Sequence, residues 1–274
     1  MTDEEPLALG AARIIALANQ KGGVGKTTTA INLGCGLAMA GRSVLVVDLD
    51  PQGNASTGLG LHASERKTTT YDVLLGTARL ADAVVPTQVP RLSVAPATVD
   101  LSGADAELYS DEDRAHRLRS AVWGGGSSNA VSAYDYILID CPPSLNLLTV
   151  NAMAAASSVL VPLQCEFFAL EGLTQLLTTI KRVQMRLNRD LHIQGIVLTM
   201  YDRRNKLSAQ VAEDVRENLG PVVFRTIIPR NVRLSEAPSH AMPALVYDPH
   251  CSGSKAYRTL AEELMLRDRK PVAA

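Results

Sequence analysis

The feature that most restricts the fold of this chain is a glycine-rich segment between an apolar run and a stretch of helical periodicity. The run at residues 14–18 reads IIALA, and the segment NQKGGVGKTTT follows it at residues 19–29. The next residues keep helical spacing up to Gly41, a residue suited to end a helix. A strand, a glycine-rich turn and a helix in this order bind phosphate through backbone N–H groups and the positive end of the helix. The segment therefore predicts an α/β fold with a phosphate-binding loop.

Further apolar runs alternate with helical stretches along the chain. They are nearly uninterrupted, as expected for strands covered on both faces of a sheet. The predicted strands are Ile14–Ala18, Val44–Asp48, Leu92–Ala95, Tyr136–Asp140, Val159–Leu163, Gly195–Met200 and Phe224–Ile228. The predicted helices are Thr27–Ala40, Asp105–Val122, Leu147–Ala156, Leu170–Leu187, Leu207–Leu219 and Ser254–Arg267. This alternation predicts a doubly wound, mostly parallel sheet with helices on both faces.

No linker divides the 274 residues, so the sequence predicts a single domain over residues 1–274. Within it, residues 1–12 and the segment GGGSSNAVS at residues 124–132 are expected to be flexible. The longest apolar stretch, residues 152–163, is shorter than the roughly 18 residues that a spanning helix needs. The acidic N-terminus lacks a secretory pattern. We therefore expect a cytoplasmic protein without a membrane partner.

Each residue type in the glycine-rich loop suits nucleotide binding. The glycines let the backbone curl around phosphate oxygens, Lys26 would reach the β- and γ-phosphates, and the Thr27 hydroxyl would hold Mg²⁺. The residues of the loop that residue type and position predict to bind ATP are Gly22, Gly23, Val24, Gly25, Lys26, Thr27 and Thr28.

Acidic residues follow two of the predicted strands. DLDPQGN places Asp48 and Asp50 at the end of one strand, and DCPPS places Asp140 at the end of another. The carboxyl ends of parallel strands lie on the ligand side of an open sheet. We therefore expect these carboxylates to converge on the γ-phosphate and its Mg²⁺, an ion that prefers oxygen ligands. The predicted metal site comprises Thr27, Asp48 and Asp140.

The loop departs from the common pattern G-x-x-x-x-G-K-[ST], because Gln20 replaces the first glycine and Lys21 precedes the glycine pair. The form KGGxGK[ST] resembles that of the deviant Walker ATPases, and within them the ParA/Soj chromosome- and plasmid-partitioning proteins. The resemblance covers nearly the whole chain. Its other segments are DLDPQGNASTGLG (48–60), DCPPSLNLLTVNA (140–152), VPLQCEFFALEGL (161–173), LTMYDRR (198–204) and IPRNVRLSEAPS (228–239).

The resemblance implies a P-loop NTPase fold, ATP and Mg²⁺ as ligands, and a role for individual residues. It implies that Asp140 is the Walker B acid and that Asp50 orients or activates the attacking water. It implies that Lys21 reaches across a nucleotide-sandwich homodimer to the partner's phosphates, so that Lys21, Lys26 and Asp50 form the catalytic set. Asp48 would support the metal and link it to residues 51–60 as a switch. Two further positions, Pro229 and Asn231, match residues that face the adenine.

Basic side chains are concentrated in one part of the chain. Residues 181–233 contain 11 of the 27 Lys and Arg residues but only five of the 28 acidic residues. Non-specific binding of duplex DNA depends on phosphate neutralisation by such side chains. The resemblance implies that Arg204 and Arg233 contact DNA.

The leading functional hypothesis is an ATP-dependent DNA-segregation switch. In this reading the ATP-bound homodimer binds nucleoid DNA non-specifically and hydrolyses ATP slowly unless a ParB-like centromere-binding partner stimulates it. The alternative is a MinD-like membrane-cycling positioning ATPase, which needs a C-terminal amphipathic anchor. The tail at residues 256–267 has apolar residues at helical spacing, but Glu262 and Glu263 among them favour a packed last helix.

Two further classes fit less well. An electron-transfer iron protein would need paired cysteines, whereas the four cysteines are far apart in the sequence. A small-molecule kinase is compatible with the loop alone, but no motif for an acceptor site is evident.

Overall fold

The computed structural model describes residues 12–124, 130–166 and 169–269. Most of the predicted flexible N-terminus (residues 1–11) and part of the predicted flexible loop (residues 125–129) lie outside these ranges. The strands of the described part, in chain order, are β1 (Arg13–Leu17), β2 (Val44–Asp48), β3 (Val85–Pro86), β4 (Leu92–Ala95), β5 (Tyr136–Asp140), β6 (Ser158–Gln164), β7 (His192–Tyr201) and β8 (Val223–Pro229). They form one sheet in the order β3-β4-β2-β5-β1-β6-β7-β8.

The helices connect these strands. In chain order, those within the described ranges are α1 (Lys26–Met39), α2 (Asn54–Gly58), α3 (Thr70–Leu75), α4 (Leu80–Ala83), α5 (Ala104–Glu107), α6 (Arg117–Trp123), α7 (Leu147–Ala155), α8 (Ala169–Arg186), α9 (Lys206–Leu219), α10 (Val232–Glu236), α11 (Ala244–Tyr247) and α12 (Ser252–Arg269). None of these helices has a stretch long and apolar enough to cross a bilayer.

The residues of each strand alternate between two apolar clusters, because successive side chains of a strand point to opposite faces. In β1, Ile14 and Ala16 join the cluster that contains buried residues of α7, α8 and α9. Ile15 and Leu17 join the cluster that contains buried residues of α1 and α12. All strand pairs are parallel except β3 with β4. The predicted fold class, a doubly wound and mostly parallel sheet with helices on both faces, is confirmed.

One predicted helix is wrong. Residues 105–122 form no continuous helix: α5 ends at Glu107, and α6 begins only at Arg117. Between them the Asp111 carboxylate accepts hydrogen bonds from the Asp113 N–H group at 2.9 Å and from the Arg117 guanidinium. An Asp side chain that captures a nearby N–H group competes with the helical hydrogen bonds. The sequence also gave no signal for β3, a two-residue edge strand that contains Pro86.

Candidate nucleotide-binding site

The order of three strands brings the predicted acidic residues beside the glycine-rich loop. Because β5 lies between β2 and β1, Asp140 is in register with Asp48 at the end of β2 and with Leu17 at the end of β1. Two residues before each aspartate, Leu138 and Val46 lie in the cluster that contains α1. Since side chains two residues apart in a strand share a face, both carboxyl groups point to the side of the sheet that α1 covers.

Two of the loop glycines have a backbone conformation that other residues rarely adopt. Gly23 has a φ of +75°, and Gly25, at the N-cap of α1, has a φ of +89°. A side chain at either position would be strained in this left-handed region. Gly22 is different, since a Cβ there would make only an ordinary contact with Pro143 at 3.8 Å. The loop conformation therefore requires glycine at two of the three positions.

Side chains from the sheet and the loop start fix the loop. The Asn19 amide donates a hydrogen bond to the Pro162 carbonyl in β6 at 2.8 Å. The Thr199 hydroxyl in β7 donates to the Val24 carbonyl, also at 2.8 Å. Both bonds join the loop to neighbouring strands and help to hold its conformation.

Lys26 is enclosed at the first turn of α1, with only 5% of its surface exposed. Its ammonium donates a hydrogen bond to the Lys21 carbonyl at 3.1 Å. Burial lowers the pKa of Lys26, and the charges of Asp140, Cys141 and Asp50 oppose this lowering. The Lys26 ammonium therefore lies in the field of two of the predicted acidic site residues.

Lys21 has a different environment. Its side chain is 45% exposed, and its ammonium forms an ion pair with Glu166 at 2.5 Å. Glu166 also accepts a hydrogen bond from the Gln164 amide. The backbone N–H of Lys21 donates to the Asn19 side chain at 3.0 Å. The two lysines of the motif thus differ in their environment, since Lys26 is enclosed and Lys21 lies at the surface.

Asp140 is completely buried, and within the described residues neither carboxylate oxygen has a hydrogen-bond partner. Burial, followed by the charge of Asp48, raises the pKa of Asp140 well above its ordinary value. The Thr27 hydroxyl, which lies near the carboxylate without hydrogen-bond geometry, and the charge of Lys26 act in the opposite direction. A buried polar atom without a partner costs free energy and calls for an explanation, such as a bound ion. The Asp140 oxygens and the Thr27 hydroxyl are the hard donors that Mg²⁺ prefers. These residues therefore fit Mg²⁺.

The remaining ligands of such an ion would not be protein carboxylates. Within the described ranges, no three His, Cys, Asp or Glu side chains converge as a metal site. Mg²⁺ at phosphate sites is usually held by one or two carboxylates together with phosphate oxygens and water. The observed donor set matches this pattern.

Asp48 is equally buried, but its oxygens already accept hydrogen bonds. Oδ2 accepts from the N–H group and the hydroxyl of Ser56 at 2.8 and 2.7 Å, and Oδ1 accepts from the Asp50 N–H group at 3.1 Å. Burial raises the pKa of Asp48 to about 6, although these bonds oppose the rise. Asp50 is also buried, and its Oδ1 accepts from the Gln52 N–H group at 3.0 Å. Asp48 therefore links β2 to the loop that follows it.

A cavity of about 180 Å³ adjoins the glycine-rich loop. It is lined by Gly25 and Thr28 on one side and by Pro229 and Asn231 on another. The Asn231 side chain is already engaged, since it accepts a hydrogen bond from the first turn of α10 and donates to Ser252 at 2.8 Å. The structure thus brings the two residues predicted to face adenine next to the phosphate loop, while the adenine contact itself stays a prediction.

The predicted DNA-contacting arginines lie beyond this cavity. Arg204 lines a larger groove of about 640 Å³ that shares Pro229 and Arg230 with the first cavity. Its side chain is 91% exposed and pairs with Asp202 at 3.1 Å. Arg233, in α10, is half-exposed and forms ion pairs at 2.8 and 3.4 Å with two carboxylates. Both arginines therefore lie outside the nucleotide cavity, and their role in DNA binding is a prediction.

Sequence reasoning missed four residues that shape the site. Ser56 and Thr199 lie within segments that carried the resemblance, but the sequence predicted no role for their hydroxyl groups. Glu166, the partner of Lys21, also lies within such a segment. Arg66 lies outside every motif. Its guanidinium hydrogen-bonds with Leu61, Ala97 and Thr57, and only the structure reveals it.

Comparisons with known proteins agree with this geometry. A family model described as "AAA domain" matches residues 12–193. The chromosome partitioning protein ParA of Caulobacter vibrioides is 60% identical over 257 residues, which cover 94% of this chain and 95% of that protein. The chain belongs to the ParA/Soj family of chromosome-partitioning ATPases. The sporulation initiation inhibitor protein Soj of Bacillus subtilis is 51% identical over 92% of this chain and 98% of its own length.

A solved structure matches this ParA/Soj chain along most of its length. It is that of cobyrinic acid a,c-diamide synthase from Mycobacterium smegmatis with a bound ATP analog and magnesium. The TM-score is 0.81 at 37% identity, and the match covers 94% of this chain and 96% of the other. The family predicted from the deviant loop is thus confirmed.

Proposed function

We propose that this ParA/Soj-family chain is a DNA-segregation switch that dimerises on binding ATP, binds duplex DNA non-specifically as the dimer, and releases it after hydrolysis. The observation that carries the proposal is the contrast between the two lysines of the loop. Lys26 is enclosed beside the site acids, whereas Lys21 is half-exposed and paired only with another exposed side chain. A lysine at the surface of the site is available to a second copy of the chain.

The phosphate loop and its acids supply the chemistry of the switch. Lys26 and the loop N–H groups would hold the phosphates, and the open Asp140 oxygens with the Thr27 hydroxyl would hold Mg²⁺. Mg²⁺, when bound, neutralises charge on the phosphate oxygens. Asp50, whose N–H group donates a hydrogen bond to Asp48, would orient or activate the attacking water. Pro229 and Asn231 would enclose the adenine in the adjoining cavity.

DNA binding would use the larger groove, which we call the basic groove because Arg203, Arg204 and Arg230 line it, together with Arg233 in α10; these residues form the basic groove region. Arg204 and Arg233 lie in the segments that follow β7 and β8, two neighbouring parallel strands. Each is exposed and paired with carboxylates, which phosphate groups of DNA can replace at little cost, since surface ion pairs are weak. Such contacts would bind every sequence similarly, as a nucleoid-bound switch requires. A ParB-like partner would accelerate the otherwise slow hydrolysis.

The last helix disfavours the MinD-like alternative. In α12, Tyr257, Leu260, Ala261 and Leu264 are buried in the cluster that also contains α1. An amphipathic membrane anchor needs its apolar face for the lipid. Because this face of α12 packs against the protein core, the DNA-binding reading has more support.

The decisive experiment measures dimerisation and DNA retention together. Light scattering with ATP, ADP or no nucleotide reports the dimer, and retention on random-sequence duplex DNA across a salt series reports DNA binding. We expect an ATP-dependent dimer whose DNA affinity falls steeply with salt, because counterions are released on binding. The double variant Arg204→Glu/Arg233→Glu should dimerise with ATP and lose DNA retention.

Two controls separate the alternatives. Co-sedimentation with anionic liposomes tests the MinD-like reading, and binding to liposomes instead of DNA would establish it. Arg79→Glu/Arg91→Glu, at exposed arginines outside the basic groove, serves as a charge-matched control that should keep DNA binding. Salt-insensitive retention, or undiminished retention by the Arg204→Glu/Arg233→Glu variant, would contradict the proposal.

A further inference from the structure

A chain of hydrogen bonds joins the end of β2 to the segment after β4. Asp48 accepts from the hydroxyl of Ser56 at 2.7 Å, and the same hydroxyl accepts from the Ala97 N–H group at 3.1 Å. Ser56 is completely buried and belongs to α2, in the loop that follows Asp50. The Ser56 hydroxyl therefore connects the Asp48 carboxylate with Ala97, which lies 41 residues after Ser56 in the sequence.

A second side chain holds the same two segments together from the other side. The Arg66 guanidinium donates to the Ala97 carbonyl at 2.8 Å, to the Leu61 carbonyl at 2.9 and 3.2 Å, and to the Thr57 hydroxyl at 2.7 Å. Leu61 lies at the far end of the loop that begins after Asp50, and Thr57 follows Ser56 in α2. Ala97 is thus bonded through its N–H group by Ser56 and through its carbonyl by Arg66.

These bonds fix the loop at both ends. At its start, Asp48 accepts from the Asp50 N–H group at 3.1 Å, so the same carboxylate holds the Asp50 backbone and Ser56. At its end, Arg66 donates to the Leu61 carbonyl. The tight fit is visible at Gly53, where a Cβ would come within 2.1 Å of the Arg66 guanidinium. The loop that begins after Asp50 is therefore held by Ser56 and by Arg66.

We propose that Ser56 and Arg66 are positioning residues for ATP hydrolysis, which hold the loop of residues 51–61 so that Asp50 stays at the phosphate site. This inference rests on the proposed function, because it assumes that Asp50 acts on the attacking water. Neither residue reaches the phosphate loop through a hydrogen bond in this network. Their effect on the reaction passes through Asp48 and Asp50.

The expected effect falls on turnover rather than on ATP affinity. A displacement of about 1 Å at a catalytic group can lower a rate by roughly two orders of magnitude. The bonds that fix the phosphate loop run from Lys26 to the Lys21 carbonyl and from Thr199 to the Val24 carbonyl, so they involve neither Ser56 nor Arg66. A loss of positioning should therefore lower kcat and leave ATP binding almost unchanged.

The test compares Ser56→Ala and Arg66→Gln with matched controls in the full chain. Ser157→Ala removes a hydroxyl that donates to the Ile14 carbonyl and accepts from the Ile14 N–H group at the amino ends of β1 and β6, away from the carboxyl ends that form the nucleotide site. Arg79→Gln removes an exposed guanidinium that pairs with Asp82. We expect kcat to fall about tenfold or more in the two test variants, with the ATP dissociation constant within about threefold of wild type. Both controls should hydrolyse ATP at the wild-type rate.

Thermal unfolding shows whether each variant is folded at the assay temperature. Arg66 is only half-buried, so Arg66→Gln provides a folded test even if Ser56→Ala does not fold. A wild-type kcat in folded Arg66→Gln, or a parallel loss of ATP affinity, would overturn the inference. If Asp50→Ala stops hydrolysis while Ser56→Ala and Arg66→Gln do not, the inference alone fails. If the wild type hydrolyses no ATP, both the proposed function and the inference that depends on it are wrong.

Discussion

The nucleotide site and the basic groove region compensate their charges in opposite ways. In the nucleotide site, Asp140 is buried without a hydrogen-bond partner, and Lys26 is enclosed beside acidic residues. After β7 and β8, Arg204 and Arg233 are exposed, and each is paired with a carboxylate of its own segment, Asp202 or Glu236. In the first region Lys26 acts on the buried Asp140 carboxylate only through its electric field, since no ion pair joins the two within the described residues. In the second region, ion pairs in contact with solvent neutralise the arginines.

This difference has consequences for stability and binding. A buried carboxylate without a partner destabilises the folded chain until a ligand compensates it, so binding and stability should be coupled. An exposed ion pair contributes little to stability, and exchanging its carboxylate for a DNA phosphate changes little within the protein. The first region should respond to nucleotide and Mg²⁺, and the second to salt.

The largest expected effect is the loss of nucleotide binding in Lys26→Ala. Removing the enclosed ammonium should weaken ATP binding by about 100-fold or more, because a charge-assisted hydrogen bond is lost in a buried site. Lys21→Ala, the control within the same motif, should bind ATP but fail to dimerise. Fluorescent-nucleotide titration beside light scattering checks both. A Lys21→Ala variant that dimerises normally with ATP would show that Lys21 is not needed for dimerisation.

The next largest effect concerns Asp140. Without nucleotide, Asp140→Asn should raise the free energy of unfolding at neutral pH by about 1–3 kcal/mol, because it removes a buried and repelled carboxylate. The variant should also lose the stabilisation that Mg²⁺ and ATP together give the wild type. Chemical denaturation with and without Mg²⁺–ATP measures both effects. A destabilised variant would mean that Asp140 already has a compensating partner.

The same carboxylate predicts how this difference in stability changes with pH. Since burial raises the pKa of folded Asp140, the native state keeps its proton over a pH range in which the unfolded state has lost it. Wild-type stability from this group is therefore present below the unfolded pKa of about 4 and falls as pH rises. The advantage of Asp140→Asn should vanish near pH 4 and grow towards neutrality.

An exposed acid provides the opposite pH trend. Arg79 lowers the pKa of Asp82, so stability from Asp82 is present above about pH 4 and is lost as pH falls. Any loss caused by Asp82→Asn should therefore appear at neutral pH and disappear in acid. If the change in the free energy of unfolding followed the same pH dependence in Asp82→Asn and Asp140→Asn, the proposed difference between the buried and the exposed carboxylate would be wrong.

The smallest effects are expected for single arginines of the basic groove region. Arg204→Ala or Arg233→Ala should shift the midpoint of thermal unfolding by no more than about 2 °C, because exposed ion pairs add little stability. Each change should lower the slope of log affinity for random DNA against log salt by about one unit. Thermal scans and a salt series of DNA retention measure the two quantities. A large loss of stability would show that these ion pairs support the fold.

Local spacing was enough to predict the loop and the strands next to it, and the resemblance of the loop and five further segments to known proteins predicted the family. The requirement for glycine at Gly23 and Gly25, and the place of Lys26 at the start of α1, depend on residues within one short segment. The fold class followed from apolar runs whose residues alternate between two cores. The helix predicted over residues 105–122 failed because an Asp111 side chain interrupts it, a contact that periodicity does not reveal.

Only the tertiary structure decided which acids meet and how they differ. Strand β5 lies between β2 and β1, which puts Asp140 beside Asp48 although they are far apart in the sequence. The oxygens of Asp48 accept hydrogen bonds from Ser56 and Asp50. Those of Asp140 have no hydrogen-bond partner in the described structure. The physical reason is that strand order and buried hydrogen bonds join residues distant in sequence, whereas residue spacing reports only the neighbours along the chain.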